Sequence, residues 1–137
     1  MIRVVLDTNI LFSAVLKPVG VPATVFDLVI ANKLLMCVSE AVLAEYREVL
    51  LRPVLAPHRQ RAEQILELIS DIALKVNPTK SVRACKDSDD DCFLECADAA
   101  RAEYVVTGNI KHFPHSPWWN TQIVTARELL NIITSLP

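Results

Sequence analysis

A chain of 137 residues, 52% of them apolar and with a net charge of −2, is long and apolar enough to bury one sizeable core. This excludes a disordered tail, a collagen-like repeat and a disulfide-stapled miniprotein. Only two glycines occur, Gly20 and Gly108, which excludes both glycine-rich phosphate-binding loops, and 14 Lys+Arg against 16 Asp+Glu create no overall positive field.

In chain order, Ile2–Leu6 is a short apolar run ended by Asp7-Thr8-Asn9, which predicts a buried strand followed by a polar turn. Ile10–Leu16 predicts a short helix closed by Lys17-Pro18-Val19-Gly20, and Pro22 opens a second helix reaching about Asn32. Leu34–Val38 reads as the next buried strand. Ser39 caps a helix from Glu40 to about Leu51, stopped by Arg52-Pro53. His58–Ser70, periodic at Ala62, Ile65, Leu66 and Ile69, is a further helix, with a third strand at Ile72–Val76 and a polar loop over Thr79–Asp89. A helix from Asp90 to about Ala102 leads into a strand, Tyr104–Val106, ended by Thr107-Gly108-Asn109. Lys111–Thr121 is irregular, Ile123-Val124 is a last short strand, and Thr125 caps a last helix over Ala126–Ser135. Strands alternating with helices predict one α/β domain over residues 1–137, its parallel sheet covered on both faces.

Asp7 interrupts what would be the apolar stretch of a signal peptide, and apolar runs such as Leu34–Val38 are too short to span a bilayer. The expectation is a soluble, cytoplasmic protein with no membrane partner. Cys37, Cys85, Cys92 and Cys96 contain no C-x-x-C pair and read as small buried residues in a reducing compartment. A zinc site with His112 or His115 is the alternative.

Ligands in open α/β sheets bind beyond the carboxyl ends of the strands, where Asp7-Thr8-Asn9 and Thr107-Gly108-Asn109 fall. Asp7 there is either a helix N-cap or a functional acid. Glu45 lies on the apolar stripe of its helix, with Val42, Tyr46, Val49 and Leu50, where it either needs a partner or reaches water from the stripe's edge. Asp87-Ser88-Asp89-Asp90-Asp91 reads by default as a solvated cluster at a helix start, favoured by the macrodipole. Its phases differ, however: Asp90 aligns with Phe93, Leu94 and Ala97 and points inward, while Asp91, Glu95 and Asp98 share a face expected to be solvent-exposed. Asp7, Glu45 and Asp90, from distant segments, are thus expected to converge at one rim. Oxygen-only ligands suit Mg²⁺ or Mn²⁺, which would relieve the repulsion among the acids and activate a water toward a phosphodiester.

Four segments in this order, VVLDTN, SEAVLAEYREVL, DSDDDCFLECA and a strand ending in TGN followed by HF, resemble PIN domains across essentially the whole chain. The branch most resembled is the prokaryotic set regarded as toxin components of toxin–antitoxin pairs. The resemblance implies a three-layer α/β/α sandwich with a central parallel sheet, and a Mg²⁺- or Mn²⁺-dependent ribonuclease that cuts single-stranded RNA to leave 5′-phosphates. On it, Asp7, Glu45 and Asp90 match the family's first three acids and metal ligands, Asp87 and Asp89 are secondary acids, and Thr107 matches its hydroxyl. Thr8 and Asn9 would position water or phosphate. The fourth acid falls at Asn109, where this sequence departs; its carbonyl oxygen can ligate but supplies no charge, which favours one metal over two. An antitoxin protein and a second copy of the chain are the partners the resemblance implies.

Phosphates need cations. Arg52, His58, Arg59 and Arg61, close in sequence, and Lys111 with His112, after the TGN turn, are the candidate contacts. Trp118-Trp119 is expected to pack the last strand or fill a dimer interface, with base stacking as the alternative. Two rival readings remain. One is a non-catalytic module that binds RNA or protein, motivated by Asn109. The other is a phosphohydrolase with Asp7 as nucleophile, which lacks its usual second acid because Asn9 stands two residues on.

Overall fold

The computed structural model describes residues 1–136. The run Arg3–Leu6 forms β1, and its Val4, Val5 and Leu6 are all 0% exposed. Successive side chains of a strand point to opposite faces, so burial of consecutive residues means that both faces of the sheet are covered. The other strands are β2 (Leu35–Val38), β3 (Leu74–Lys75), β4 (Tyr104–Val106) and β5 (Gln122–Val124), in the order β3-β2-β1-β4-β5 with every pairing parallel. Six helices complete the α/β/α sandwich: α1 (Thr8–Leu16), α2 (Val21–Ile30), α3 (Glu40–Leu50), α4 (Arg59–Ile72), α5 (Asp91–Ala100) and α6 (Ala126–Thr134). α5 packs across β1, β2 and β4, and α1 packs on α2, α3 and α4.

From β1 the chain builds outward through β2 to β3, then returns to the other side of β1 for β4 and β5. The switch point therefore lies between β1 and β4, and their carboxyl ends diverge there to leave a crevice. Register brings Leu6 beside Val106, so Asp7 and Thr107 emerge next to each other. Tyr46, fully buried on α3, donates its hydroxyl to the Leu6 carbonyl and so ties α3 to the end of β1. No single helix is long and apolar enough to cross a membrane among the described residues.

Helix ends differ from the sequence expectations by a residue or two, the usual fraying distance. The third strand is shorter than Ile72–Val76: Ile72 closes α4, and only Leu74–Lys75 are strand, although the Val76 amide still donates to the Val38 carbonyl at 2.9 Å. A short edge strand offers little unpaired backbone to other chains. The helix expected from Asp90 begins one residue later, after a single 3₁₀ turn over Ser88–Asp90, and ends at Arg101 with φ 53°.

The face shared by Asp91, Glu95 and Asp98 is not solvated as expected. Asp91 is 7% exposed, and its carboxylate accepts the backbone N–H groups of Ala84 at 3.0 Å and Cys85 at 2.8 Å. Glu95 accepts the Val82 amide at 2.9 Å, and Asp98 pairs with Lys80 at 3.6 Å. The loop before α5 folds back along the helix, held there by these three backbone-to-carboxylate bonds. The tryptophans separate likewise: Trp118 is half-buried against the core, while Trp119 is 81% exposed.

Candidate active site

Asp7 is 6% exposed, and its backbone N–H donates to the Val106 carbonyl at 2.8 Å. Its side chain does not cap α1. Instead Oδ2 accepts two hydrogen bonds, from the Thr107 hydroxyl at 2.7 Å and from the Asn9 amide at 2.9 Å. The other end of the Asn9 side chain accepts the Gly108 N–H at 3.0 Å, and the Thr107 hydroxyl accepts the Asn109 N–H at 2.9 Å. The two polar turns are thereby stitched into one rigid network, with opposite ends of the Asn9 amide used once each.

Burial pushes the Asp7 carboxyl above the ordinary range, against the lowering effect of Thr107 and of the groups of Thr8 and Asn9. Glu45, half-buried on α3, is also pushed up, first by burial and then by the negative charges of Asp89, Glu48 and Asp7, with Arg52 opposing. Asp90 is raised to about 6 by burial and by the charges of Asp7, Asp87 and Glu45, while His112 pulls it down. Acids from β1, α3 and the start of α5 thus lie within one another's field at the switch point: burial raises all three, and neighbouring negative charge adds to the rise at Glu45 and Asp90. Asp87 lies beside them as the cap of the 3₁₀ turn, its carboxylate accepting the Asp89 N–H at 2.9 Å.

Thr8 is buried, and its hydroxyl Oγ1 is left without a partner. The carboxylate oxygens and their surplus negative charge are a donor set suited to a hard divalent cation. Among the described residues, no three His, Cys, Asp or Glu side chains stand close enough together to hold a metal ion, so the acids interact through their charges and not as a closed cage. The alternative zinc site does not form. Among the described residues its cysteines and histidines do not come together as a ligand set, and burial raises the thiols of Cys37 to about 11 and of Cys92 and Cys96 to about 12.

Clefts open on both sides of the acids. One of about 620 Å³ runs past Glu45, Glu48, Asp89 and Arg83; another of about 420 Å³ is bordered by Asn9, Thr107, Asn109 and Arg127. A third, of about 320 Å³, is lined by Asn109, Lys111 and His112. Lys111 and His112 therefore stand at the site. Arg52 stands near it, engaged by Glu48 at 2.6 Å within the field of Glu45. Arg59 is taken up by Glu63 and the Leu51 carbonyl, and Arg61 by the Ala14 carbonyl. Sequence reasoning missed Arg83 and Arg127. Arg127 follows β5, so the strand-end rule applied to the last strand would have reached it; Arg83 sits in an irregular loop with no local signal.

The sequence matches a family model described as PIN domain over residues 3–111. An uncharacterized protein of Methanocaldococcus jannaschii is 31% identical over 111 residues, covering 79% of this chain and 71% of the relative. In the fold, the chain is similar to the crystal structure of VapBC2 from Rickettsia felis bound to a DNA fragment from their promoter. The TM-score is 0.58 at 18% identity, with 89% of this chain and 97% of that one covered.

Proposed function

Since this chain belongs to the PIN domain family, we propose that it is a divalent-metal-dependent endoribonuclease acting on single-stranded RNA, a single domain over residues 1–137. The observation that carries this is the crowding of Asp7, Glu45 and Asp90 at the switch point, with Asp90 raised to about 6 by burial and its neighbours' charge. Asp7, Glu45 and Asp90 would hold Mg²⁺ or Mn²⁺. Such an ion supplies a Lewis acid for the phosphate and lowers the pKa of a bound water.

The chain's own residues do the positioning. Thr107 and Asn9 occupy Oδ2 of Asp7 and fix the carboxylate's orientation. Asn109, exposed at the rim, offers an amide oxygen without a charge. Lys111, His112 and Arg127 on one side, and Arg52 and Arg83 on the other, are the cations that a phosphate backbone entering the acidic site requires. Asp87, Asp89 and Thr8 would serve as supporting donors, and Arg59, held by Glu63 and the Leu51 carbonyl, would reach a phosphate only on leaving them.

On the same reading, the protein is the toxin of a toxin–antitoxin pair, acting in the cytoplasm with a cognate antitoxin and a second copy of the chain as partners. The VapBC2 likeness at the level of fold supports this.

The test is cleavage of mixed-sequence single-stranded RNA by the purified protein in Mn²⁺, Mg²⁺ or EDTA, beside Asp7→Asn. Metal-dependent cutting that Asp7→Asn abolishes, from a variant that melts as a folded protein, is the expected result. Equal cutting by both proteins removes the assignment. Asn109, uncharged where a fourth acid would stand, favours one second reading: a binding module without catalysis. That reading expects folded protein, no cleavage in any metal, and no thermal stabilisation by Mn²⁺.

A further inference from the structure

We propose that Trp119 is a stacking platform for a base of the single-stranded nucleic acid that reaches the acidic site, a subsite that rests on the ribonuclease reading above. Trp118 and Thr121 exchange both backbone hydrogen bonds, at 2.8 and 3.0 Å, so Trp119 and Asn120 form a two-residue turn. Both ends of that turn are anchored. Thr121 is buried and donates its hydroxyl to the Ala102 carbonyl at 2.7 Å, and Trp118 packs on the core. At its tip Trp119 has φ 53°, a left-handed backbone that bulky side chains rarely adopt. A glycine or asparagine would take that position with less strain. The indole offsets nothing by burial, since Trp119 is 81% exposed and meets only the edge of Trp118, with ring centroids 6.5 Å apart. A strained backbone that holds the largest aromatic side chain out in water is a feature to be explained by what the ring meets there.

The surroundings identify the occupant. Two clefts, of about 300 and 660 Å³, share the two tryptophans. Their walls carry Lys80, Arg83 and Arg101 against the single acid Asp98, a local positive excess in a chain whose net charge is −2. The smaller cleft adjoins the cleft of Glu45 and Asp89, with the loop residues Ser81, Val82 and Arg83 as their common wall. Arg83 therefore stands between the acids and Trp119, on the wall that both clefts share. A single strand in the tryptophan clefts sets phosphates against Lys80, Arg83 and Arg101 and an unpaired base against the indole, a pairing of funnel and stacking surface that tolerates any base. Duplex RNA has no free base face to offer and cannot use the platform.

The deciding experiment is a fluorescence-anisotropy titration of a labelled single-stranded RNA of about 12 nucleotides, in EDTA so that no cleavage intervenes. Parent, Trp119→Ala and Trp119→Phe are compared, with a duplex of the same sequence as control. Because Trp119 is exposed, both variants should melt like the parent. Trp119→Ala should weaken single-strand binding about tenfold, the size of one lost stacked base, and leave duplex binding unchanged. Trp119→Phe should recover most of the loss. Hydrolysis in Mn²⁺ of a small phosphodiester such as bis(p-nitrophenyl) phosphate, too short to reach the turn, should be the same for all three. Single-strand affinity unchanged by Trp119→Ala, or absent from the parent, overturns the proposal. So does a variant that changes only the protein's oligomeric state in light scattering, which assigns the ring to a protein interface. If no form cleaves RNA yet the binding difference persists, the nuclease reading falls and the platform stands.

Discussion

The hydroxyl of Thr107 donates a 2.7 Å hydrogen bond to the carboxylate of Asp7, joining two turns 100 residues apart in the chain. Both groups are buried, and the same hydroxyl accepts the Asn109 N–H, so one oxygen orients the first acid and the rim residue together. Thr107→Val keeps the shape and removes both bonds. Hydrogen bonds to charged groups contribute about 1.5–3 kcal/mol each, and urea unfolding should show a loss of that order. The hydroxyl also lowers the Asp7 pKa, so the acid limb of the cleavage profile should move to higher pH in the variant. Thr107→Ser should restore both properties. A variant whose unfolding midpoint and pH profile match the parent's would show that the bond positions nothing.

Asp7, Glu45 and Asp90 all hold protons more tightly in the folded chain than their ordinary values, Asp90 up to about 6. Between about pH 4 and 6 the folded state therefore binds more protons than the unfolded one, and this component of stability falls as pH rises. Metal-free protein should lose part of its melting temperature across that window, and Asp90→Asn should flatten the loss. A divalent cation acts in the opposite sense: at a hundred times its Kd it stabilises by about 2.7 kcal/mol at pH 7, fading toward pH 5 as protons compete. Thermal melts of parent and Asp90→Asn, with and without Mn²⁺, check both slopes. A parent curve that coincides with that of Asp90→Asn at every pH would contradict the crowding.

Adjacent acids have opposite tasks. Asp90 faces Asp7 and Glu45, whereas Asp91 accepts two backbone amides from the loop that folds over α5. Asp90→Asn should abolish cleavage and leave the unfolding midpoint no lower than the parent's at pH 7. Asp91→Ala should cost about 1.5–3 kcal/mol, since two part-buried amides lose a charged acceptor, and retain cleavage per folded molecule at low temperature. Urea unfolding and single-turnover cleavage of the two variants separate these tasks; the reverse pattern would exchange the roles of the two residues.

The strand ends were legible because polar turns after buried apolar runs fix both the strand and where its ligand side lies, and Asp7, Thr107 and Asn109 follow from that alone. Glu45 was legible from its phase on the stripe of α3, which leaves a carboxylate half-buried wherever the helix packs. What the sequence did not disclose depended on the loop before α5. Periodicity assigns Asp91 and Glu95 to an outer face, but no local pattern says that residues 82–85 return to cover it. Arg83 is carried into the cleft by that same loop. Trp119 was hidden for a similar reason: whether a tryptophan faces core or water in an irregular stretch is decided by the Trp118–Thr121 turn and its anchor on Ala102, contacts far apart in sequence.

Asn109 sits exposed at the rim, its backbone N–H held by Thr107 and its side chain beside the clefts of Arg127 and His112. A carboxylate there would add a fourth negative charge to a group that already repels itself. Asn109→Asp should therefore lower the melting temperature of metal-free protein above pH 6 and raise the affinity for Mn²⁺, because the repulsion a cation relieves is larger. Oxygen donor count and charge both tighten the site, so a second Mn²⁺ should become measurable by calorimetry, and cleavage at limiting metal should rise. Arg127 and Lys111 partly offset the added charge, so the metal-free penalty should grow as salt is removed. The variant with neither tighter Mn²⁺ binding nor faster cleavage would mean that position 109 lies outside the metal's reach, and that Asp7, Glu45 and Asp90 hold the ion without it.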